Sequence, residues 1–203
     1  MTALAANSLC LFRGDRCLFK DLSFTLQTGE LLVVDGPNGS GKTSLLRAMA
    51  GLLDFESGEV SWNGIPVPSA YQAFRSDVAW LSHRVGFKGD LTIAENLAFE
   101  SGLRAMRNDR YDEVLEQLTL TDRVDLPFRA LSAGQQRRVA LARTLLSTAT
   151  LWMMDEPFTN LDKGGQALVV DLIRSHLLAG GLCIVASHQF IEIDGSTRRV
   201  SLQ

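Results

Sequence analysis

Glu30-Leu31-Leu32-Val33-Val34-Asp35-Gly36-Pro37-Asn38-Gly39-Ser40-Gly41-Lys42-Thr43 is the stretch on which the fold turns. Leu31 to Val34 form an unbroken apolar run with β-branched residues, the pattern of a strand buried on both faces. Gly36 to Thr43 fits the spacing GxxxxGK[ST]. A triphosphate concentrates negative charge, and such a loop answers with inward-facing backbone N–H groups. Glycines let that backbone curl and approach closely, where a Cβ would obstruct it. The run Thr43-Ser44-Leu45-Leu46-Arg47-Ala48-Met49-Ala50 then reads as a helix stopped by Gly51. Its N-terminus adds free N–H groups and the positive end of the helix dipole. Lys42 is expected to reach the β- and γ-phosphates, and Thr43 to ligate Mg²⁺ through its hydroxyl. The candidate phosphate cradle is Gly36, Pro37, Asn38, Gly39, Ser40, Gly41, Lys42, Thr43 and Ser44.

Outward from this loop, the text reads as alternating strands and helices. Upstream, from Leu9 to about Val34, short strands are broken by turn signals at Arg13-Gly14-Asp15 and Thr28-Gly29-Glu30. From about Leu91 to Asp125 the sequence is helical, rich in Glu, Arg and Leu. Thr150 to Met154 reads as a buried strand, Gln166 to Leu178 as a helix, and Leu182 to Ser187 as another buried strand. Such alternation implies a mostly parallel sheet with helices on its faces.

Composition narrows the class. The 203 residues are 46% apolar and 21% charged, an ordinary balance for a globular chain with a substantial core. A formal net charge of -3 gives no footprint for nucleic acid. No apolar run is long enough to cross a bilayer, and the N-terminus lacks a basic region followed by an apolar stretch. The expectation is a chain that stays in the cytoplasm without inserting into a membrane. Cys10, Cys17 and Cys183 are scattered, with no CxxC pair, and are expected to be ordinary core or near-core thiols.

A second motif supplies carboxylates. Leu151-Trp152-Met153-Met154 runs into Asp155-Glu156-Pro157. The strand is expected beside the loop-bearing strand, with its C-terminal end aimed at the nucleotide. Asp155 can hold Mg²⁺, and Glu156, one residue on, can orient and polarise an attacking water. Taken alone, the pair also reads as a surface acidic turn after a core strand.

A third stretch, Leu131-Ser132-Ala133-Gly134-Gln135-Gln136-Arg137-Arg138, opens a helical run and resembles the signature sequence of the ABC ATPase family, usually LSGGQ. Ser132 is a natural N-cap, and the helix behind it is a second anion-binding N-terminus. Phe158-Thr159-Asn160-Leu161-Asp162 resembles that family's D-loop, and Ser187-His188 its switch histidine. The resemblance covers essentially the whole chain. It implies an α/β fold of the P-loop NTPase, ABC ATPase type: a mostly parallel central sheet, an antiparallel β subdomain and a small helical subdomain. Residues 1-203 would form one such domain, with about 91-140 as the helical subdomain that carries the signature.

The family resemblance also implies ATP and Mg²⁺ as ligands, with Thr43 and Asp155 at the metal and Glu156, His188 and Lys42 in catalysis. Two copies would pack head to tail. Ser132, Gly134 and Gln135 of one would then meet the nucleotide held by the other's Lys42. Adenine contact falls on Arg13 or on Phe12 beside it. A guanidinium plane can stack on a base as an aromatic ring does, and Phe12 reads equally well as a core residue.

Two positions depart from the family pattern. Ala133 replaces the usual glycine, tolerable if its backbone angles are ordinary. His83, in Trp80-Leu81-Ser82-His83-Arg84-Val85-Gly86, stands where the family keeps the glutamine of its Q-loop. A neutral imidazole accepts through one nitrogen only. His83, the signature stretch, Leu151-Trp152 before the carboxylates and Ser187-His188-Gln189 together resemble the ATPase subunits of bacterial cytochrome c maturation complexes, the haem exporters. That resemblance implies inner-membrane subunits as partners and a peripheral place on the cytoplasmic face of that membrane. It further implies that ATP hydrolysis releases a haem-loaded chaperone. The chain ends soon after His188, so no appended regulatory domain is expected.

Other readings stay open on sequence alone. The same site would serve another small-substrate transporter. A soluble relative acting on DNA or ribosomes would carry a coiled-coil insert or two cassettes, and neither is seen. An inactive nucleotide-binding regulator is disfavoured by Glu156.

Overall fold

The computed structural model describes residues 3–188 and 197–202. Gln189 of the switch-histidine segment lies outside the described residues. Two sheets organise the rest. The first is antiparallel, in the order β2-β1-β4-β5, from β1 (Ala3–Arg13), β2 (Arg16–Gln27), β4 (Ser57–Trp62) and β5 (Ile65–Pro66). The second contains β3 (Leu31–Asp35), β6 (Val78–Leu81), β7 (Leu151–Asp155), β8 (Leu182–Ala186) and β9 (Thr197–Ser201), in the order β6-β7-β8-β3-β9. Every pairing in it is parallel. The α/β expectation therefore holds, with the antiparallel sheet beside the parallel one.

One expectation about this sheet is corrected. The carboxylate strand β7 does not lie next to the loop strand β3, because β8 separates them. Both strands are apolar up to their terminal aspartates, and an unbroken apolar run carries no information about which buried strand is its neighbour. The two sites meet all the same. The helix α1 (Lys42–Met49) leaves the loop and packs against both β7 and β8.

The apolar runs of β3, β7 and β8 are buried on both faces. Their side chains split between two cores with the period of two that a strand imposes. Val33, Met154 and Val185 face Leu97, Val114, Leu141 and Val169. These belong to α3 (Ile93–Leu103), α4 (Tyr111–Gln117), α5 (Ala133–Leu146) and α6 (Lys163–Leu178). Val34, Met153 and Ile184 face Leu45 and Met49 of α1 and the inner face of the antiparallel sheet. The short helix α2 (Tyr71–Ser76) adds Phe74 to that second core.

The upstream strands turn where the turn signals stood, but they are longer than expected and begin at Ala3 rather than Leu9. Cys10 and Cys183 are buried, whereas Cys17 is exposed, which corrects its reading as a core or near-core thiol. Among the described residues, no helix is long and apolar enough to cross a membrane.

Candidate functional site

The loop between β3 and α1 shows why it is rich in glycine. A Cβ on Gly36, at φ +144, would lie 2.4 Å from the Leu202 carbonyl oxygen and 2.6 Å from Ser40 Oγ. The backbone there approaches more closely than any side chain permits. Lys42 is almost buried, and its Nζ donates to the carbonyls of Gly36 (2.6 Å) and Pro37 (3.2 Å). The ammonium is thus held over the loop by weak neutral acceptors, which a phosphate oxygen would outcompete. Inside the same loop, Ser40 Oγ is buried with no hydrogen-bond partner among the described residues.

The Thr43 hydroxyl donates to the Asp155 carboxylate, 2.9 Å and 3.1 Å from its two oxygens. Burial pushes the Asp155 carboxyl above the usual aspartate range; the Thr43 bond opposes this, the Glu156 charge adds to it, and His83 and Arg47 work against it. An aspartate and a threonine oxygen in contact, beside a phosphate cradle, are a donor set that fits Mg²⁺. This ion usually keeps waters and takes few protein ligands.

Glu156 follows at φ +49, in the left-handed region that non-glycine residues rarely adopt. The turn lifts its side chain out of β7's alternation. His188 Nδ1 lies 2.9 Å from Glu156 Oε2. An ionised carboxylate only accepts, so Nδ1 donates and a neutral ring keeps its lone pair on Nε2. A cleft of about 360 Å³ gathers Arg13, Asn38, Gly39, Gly41, Lys42, Thr43, Ser44, His83, Glu156 and His188. These residues come from five separate stretches of the chain, all expected from the sequence. Leu18 and Thr159 also line the cleft and were not anticipated as site residues. Their only signal was position, beside the upstream turn and inside the segment after Pro157. Two larger clefts, of about 400 Å³ and 670 Å³, lie away from this loop.

Arg13 lines the cleft, while Phe12 is 44% exposed, so Phe12 is not a core residue. Ser132, Gly134 and Gln135 are not among the cleft residues. They sit at the start of α5, where the Ser132 hydroxyl accepts from the Gln135 N–H (3.3 Å) and Gln135 Oε1 accepts from the Ser132 N–H (2.9 Å). This reciprocal cap stabilises the helix start. Ala133 is the first helical residue and has no positive φ, so its methyl group is tolerated. At Gly134 a Cβ would lie 2.9 Å from the Asn160 carbonyl oxygen. The next segment keeps the D-loop's Asp162 as N-cap of α6, accepting from the Gly165 N–H at 2.8 Å.

Residues 19–159 match the model of the ABC transporter family. The chain is 44% identical to the cytochrome c biogenesis ATP-binding export protein CcmA of Pasteurella multocida, over 93% of this chain and 90% of that protein. It is 42% identical to the protein of the same name in Methylococcus capsulatus, over 98% and 97%. Among solved structures, an ABC transporter ATP-binding protein from Pyrococcus furiosus superimposes with a TM-score of 0.85 at 24% identity, covering 97% of this chain and 96% of that one. A bacterial Atm1-family ABC exporter with ATP bound gives 0.85 at 20% identity, covering 99% of this chain and 37% of that one. These two likenesses concern the fold.

Proposed function

This chain belongs to the ABC transporter family, and from that premise we propose that it is the ATP-hydrolysing subunit of a haem exporter of the cytochrome c biogenesis type. The observation that carries the catalytic part is the meeting of Lys42, Thr43, Asp155, Glu156 and His188 at one cleft from three distant segments. The loop N–H groups and Lys42 bind the triphosphate. Thr43 and Asp155 would hold Mg²⁺, which supplies positive charge to the β- and γ-phosphate oxygens. Glu156 orients the attacking water and takes up its proton at the carboxylate. His188 holds that carboxylate through the 2.9 Å bond to Oε2. Gly36, Pro37, Asn38, Gly39, Ser40, Gly41 and Ser44 complete the cradle, and Arg13 stacks on the base.

Ser132, Gly134 and Gln135 lie outside the cleft of their own chain, which supports a head-to-tail pair in which each signature serves the other chain's nucleotide. The whole chain acts as one ABC ATPase domain, with about 91–140 as its helical subdomain. Nucleotide binding favours the closed pair and hydrolysis releases it, a shift of population by a ligand that prefers one state. The partners are inner-membrane subunits, and the place of work is their cytoplasmic face. The names of the relatives support this assignment, in which opening of the pair releases a haem-loaded chaperone.

Glu156→Gln tests the catalytic reading. The amide keeps the shape and loses the base. MgATP binding is expected to persist, hydrolysis to fall by at least about a hundredfold, and a closed dimer to accumulate on size-exclusion. Turnover near the wild-type rate would remove Glu156 from the chemistry.

A further inference from the structure

Arg137 lies in the second turn of α5 and is 3% exposed, yet among the described residues it faces no carboxylate at hydrogen-bonding distance. Its partners are four backbone carbonyls. Nε donates to Pro157 O (3.2 Å), Nη1 to Ser82 O (2.7 Å), and Nη2 to both Asp155 O (3.0 Å) and Glu156 O (2.7 Å). A guanidinium carries five N–H donors in a rigid plane, and four of them are committed here. Burial pushes its pKa down to about 10, so it remains a cation at neutral pH.

The four acceptors are not scattered. Three of them are consecutive residues, the turn that ends β7 and carries both carboxylates. Glu156 at its centre has φ +49 and needs a surrounding that holds it there. The fourth acceptor, Ser82, is the residue before His83, at the end of β6. One side chain from the signature helix therefore grips the carboxylate turn and the His83 loop together. The grip runs through main-chain oxygens, so it sets the position of the backbone itself.

We propose that Arg137 is a positioning residue that makes the signature helix, the Asp155–Pro157 turn and the Ser82–His83 loop move as one body. This rests on the reading of the cleft as an ATP-hydrolysing site shared between two chains. The start of α5 meets the nucleotide of the partner, whereas Asp155 and Glu156 act on the nucleotide of their own chain. Arg137 is then the link by which closure at one nucleotide fixes the carboxylates at the other. Its bonds run to backbone carbonyls of its own chain, so its contribution is the geometry it holds.

Arg137→Lys and Arg137→Met in the full chain test this. Lysine keeps the charge and stem, but its compact ammonium has three donors and cannot span four carbonyls. Methionine keeps the apolar stem and strands all four. Binding stoichiometry and affinity for MgATP are measured first, then kcat and KM, with melting temperature alongside. Affinity is expected to stay within about threefold of wild type, because the loop and Lys42 share no partner with Arg137. The kcat per nucleotide-binding chain is expected to fall between about tenfold and about a hundredfold, the loss that follows a displacement of about 1 Å at a catalytic group. Counting only nucleotide-binding chains removes the effect of a smaller folded fraction. A lower melting temperature with kcat per binding chain within about twofold of wild type would overturn the proposal and leave Arg137 a structural residue. Loss of nucleotide binding in the lysine variant would also overturn it. If the methionine variant does not fold, the lysine variant decides. The wild-type rate is the control that separates the two ideas: without wild-type hydrolysis the reading of the cleft itself fails, whatever the variants do.

Discussion

Ser132→Arg and Lys42→Ala damage opposite halves of the proposed shared site, and mixing them gives a sharp expectation. Lys42→Ala removes the ammonium over the phosphate loop and weakens nucleotide binding in its own chain. Ser132→Arg puts a long side chain at the start of α5, where the partner's nucleotide would press, and leaves the phosphate loop of its own chain untouched. In either parent every composite site carries one defect. In a mixed dimer both defects fall on one site and the other is intact. Equal mixing with free exchange makes about half of the dimers mixed. If the sites act independently, the mixture recovers about a quarter of the wild-type rate.

The side effect of Ser132→Arg can be sized from the cap. It removes the acceptor of the Gln135 N–H and loosens the reciprocal bond of 2.9 Å. Losing such a cap costs about 1 kcal/mol, a drop of about 2–4 °C in melting temperature for a chain of this size. A larger drop would mean that the variant fails through folding, so the melt is run first. The assay is phosphate release, with MgATP-driven dimer closure scored in parallel, because cooperation between two sites can mask a rescue in rate. A mixture that neither hydrolyses nor closes beyond the mean of its parents would refute shared sites.

His83→Gln, which restores the usual family residue, is expected to keep substantial basal ATPase activity. His83→Ala should reduce stimulation by the membrane subunits more than it reduces the basal rate; a basal loss as complete as that of Glu156→Gln would instead place the ring in the chemistry. His176, away from the cleft, is stacked on Trp152 with ring centroids 3.8 Å apart, and burial pushes its pKa from 6.5 down to about 4. The folded state therefore refuses a proton that the unfolded chain accepts. Stability is full above about pH 6.5 and is lost as pH falls toward 4, by about 3 kcal/mol at most. Urea unfolding of wild type and His176→Gln between pH 7 and pH 4.5 reads this, and equal acid slopes in the two proteins would exclude His176 as the cause.

Local chemistry made much of this protein legible in one dimension. The phosphate loop is a contiguous device: its glycines, Lys42 and Thr43 work through spacing along the chain, so the motif was readable before any fold. The buried strands announced themselves as apolar runs because both of their faces meet a core. Ser132 and Asp155-Glu156 were visible for the same reason, since a cap and a strand end are local events. What depends on distant segments was not visible. An apolar strand does not name its neighbour, and β8 lies between β3 and β7. The choice between Phe12 and Arg13 at the cleft needed the pairing of β1 with β2, and Thr159 needed the turn after β7. The clearest case is Arg137, whose four partners are backbone carbonyls. A carbonyl is present at every residue and leaves no mark in a sequence, so only the packing of α5 against two strand ends could select Ser82, Asp155, Glu156 and Pro157 as its acceptors.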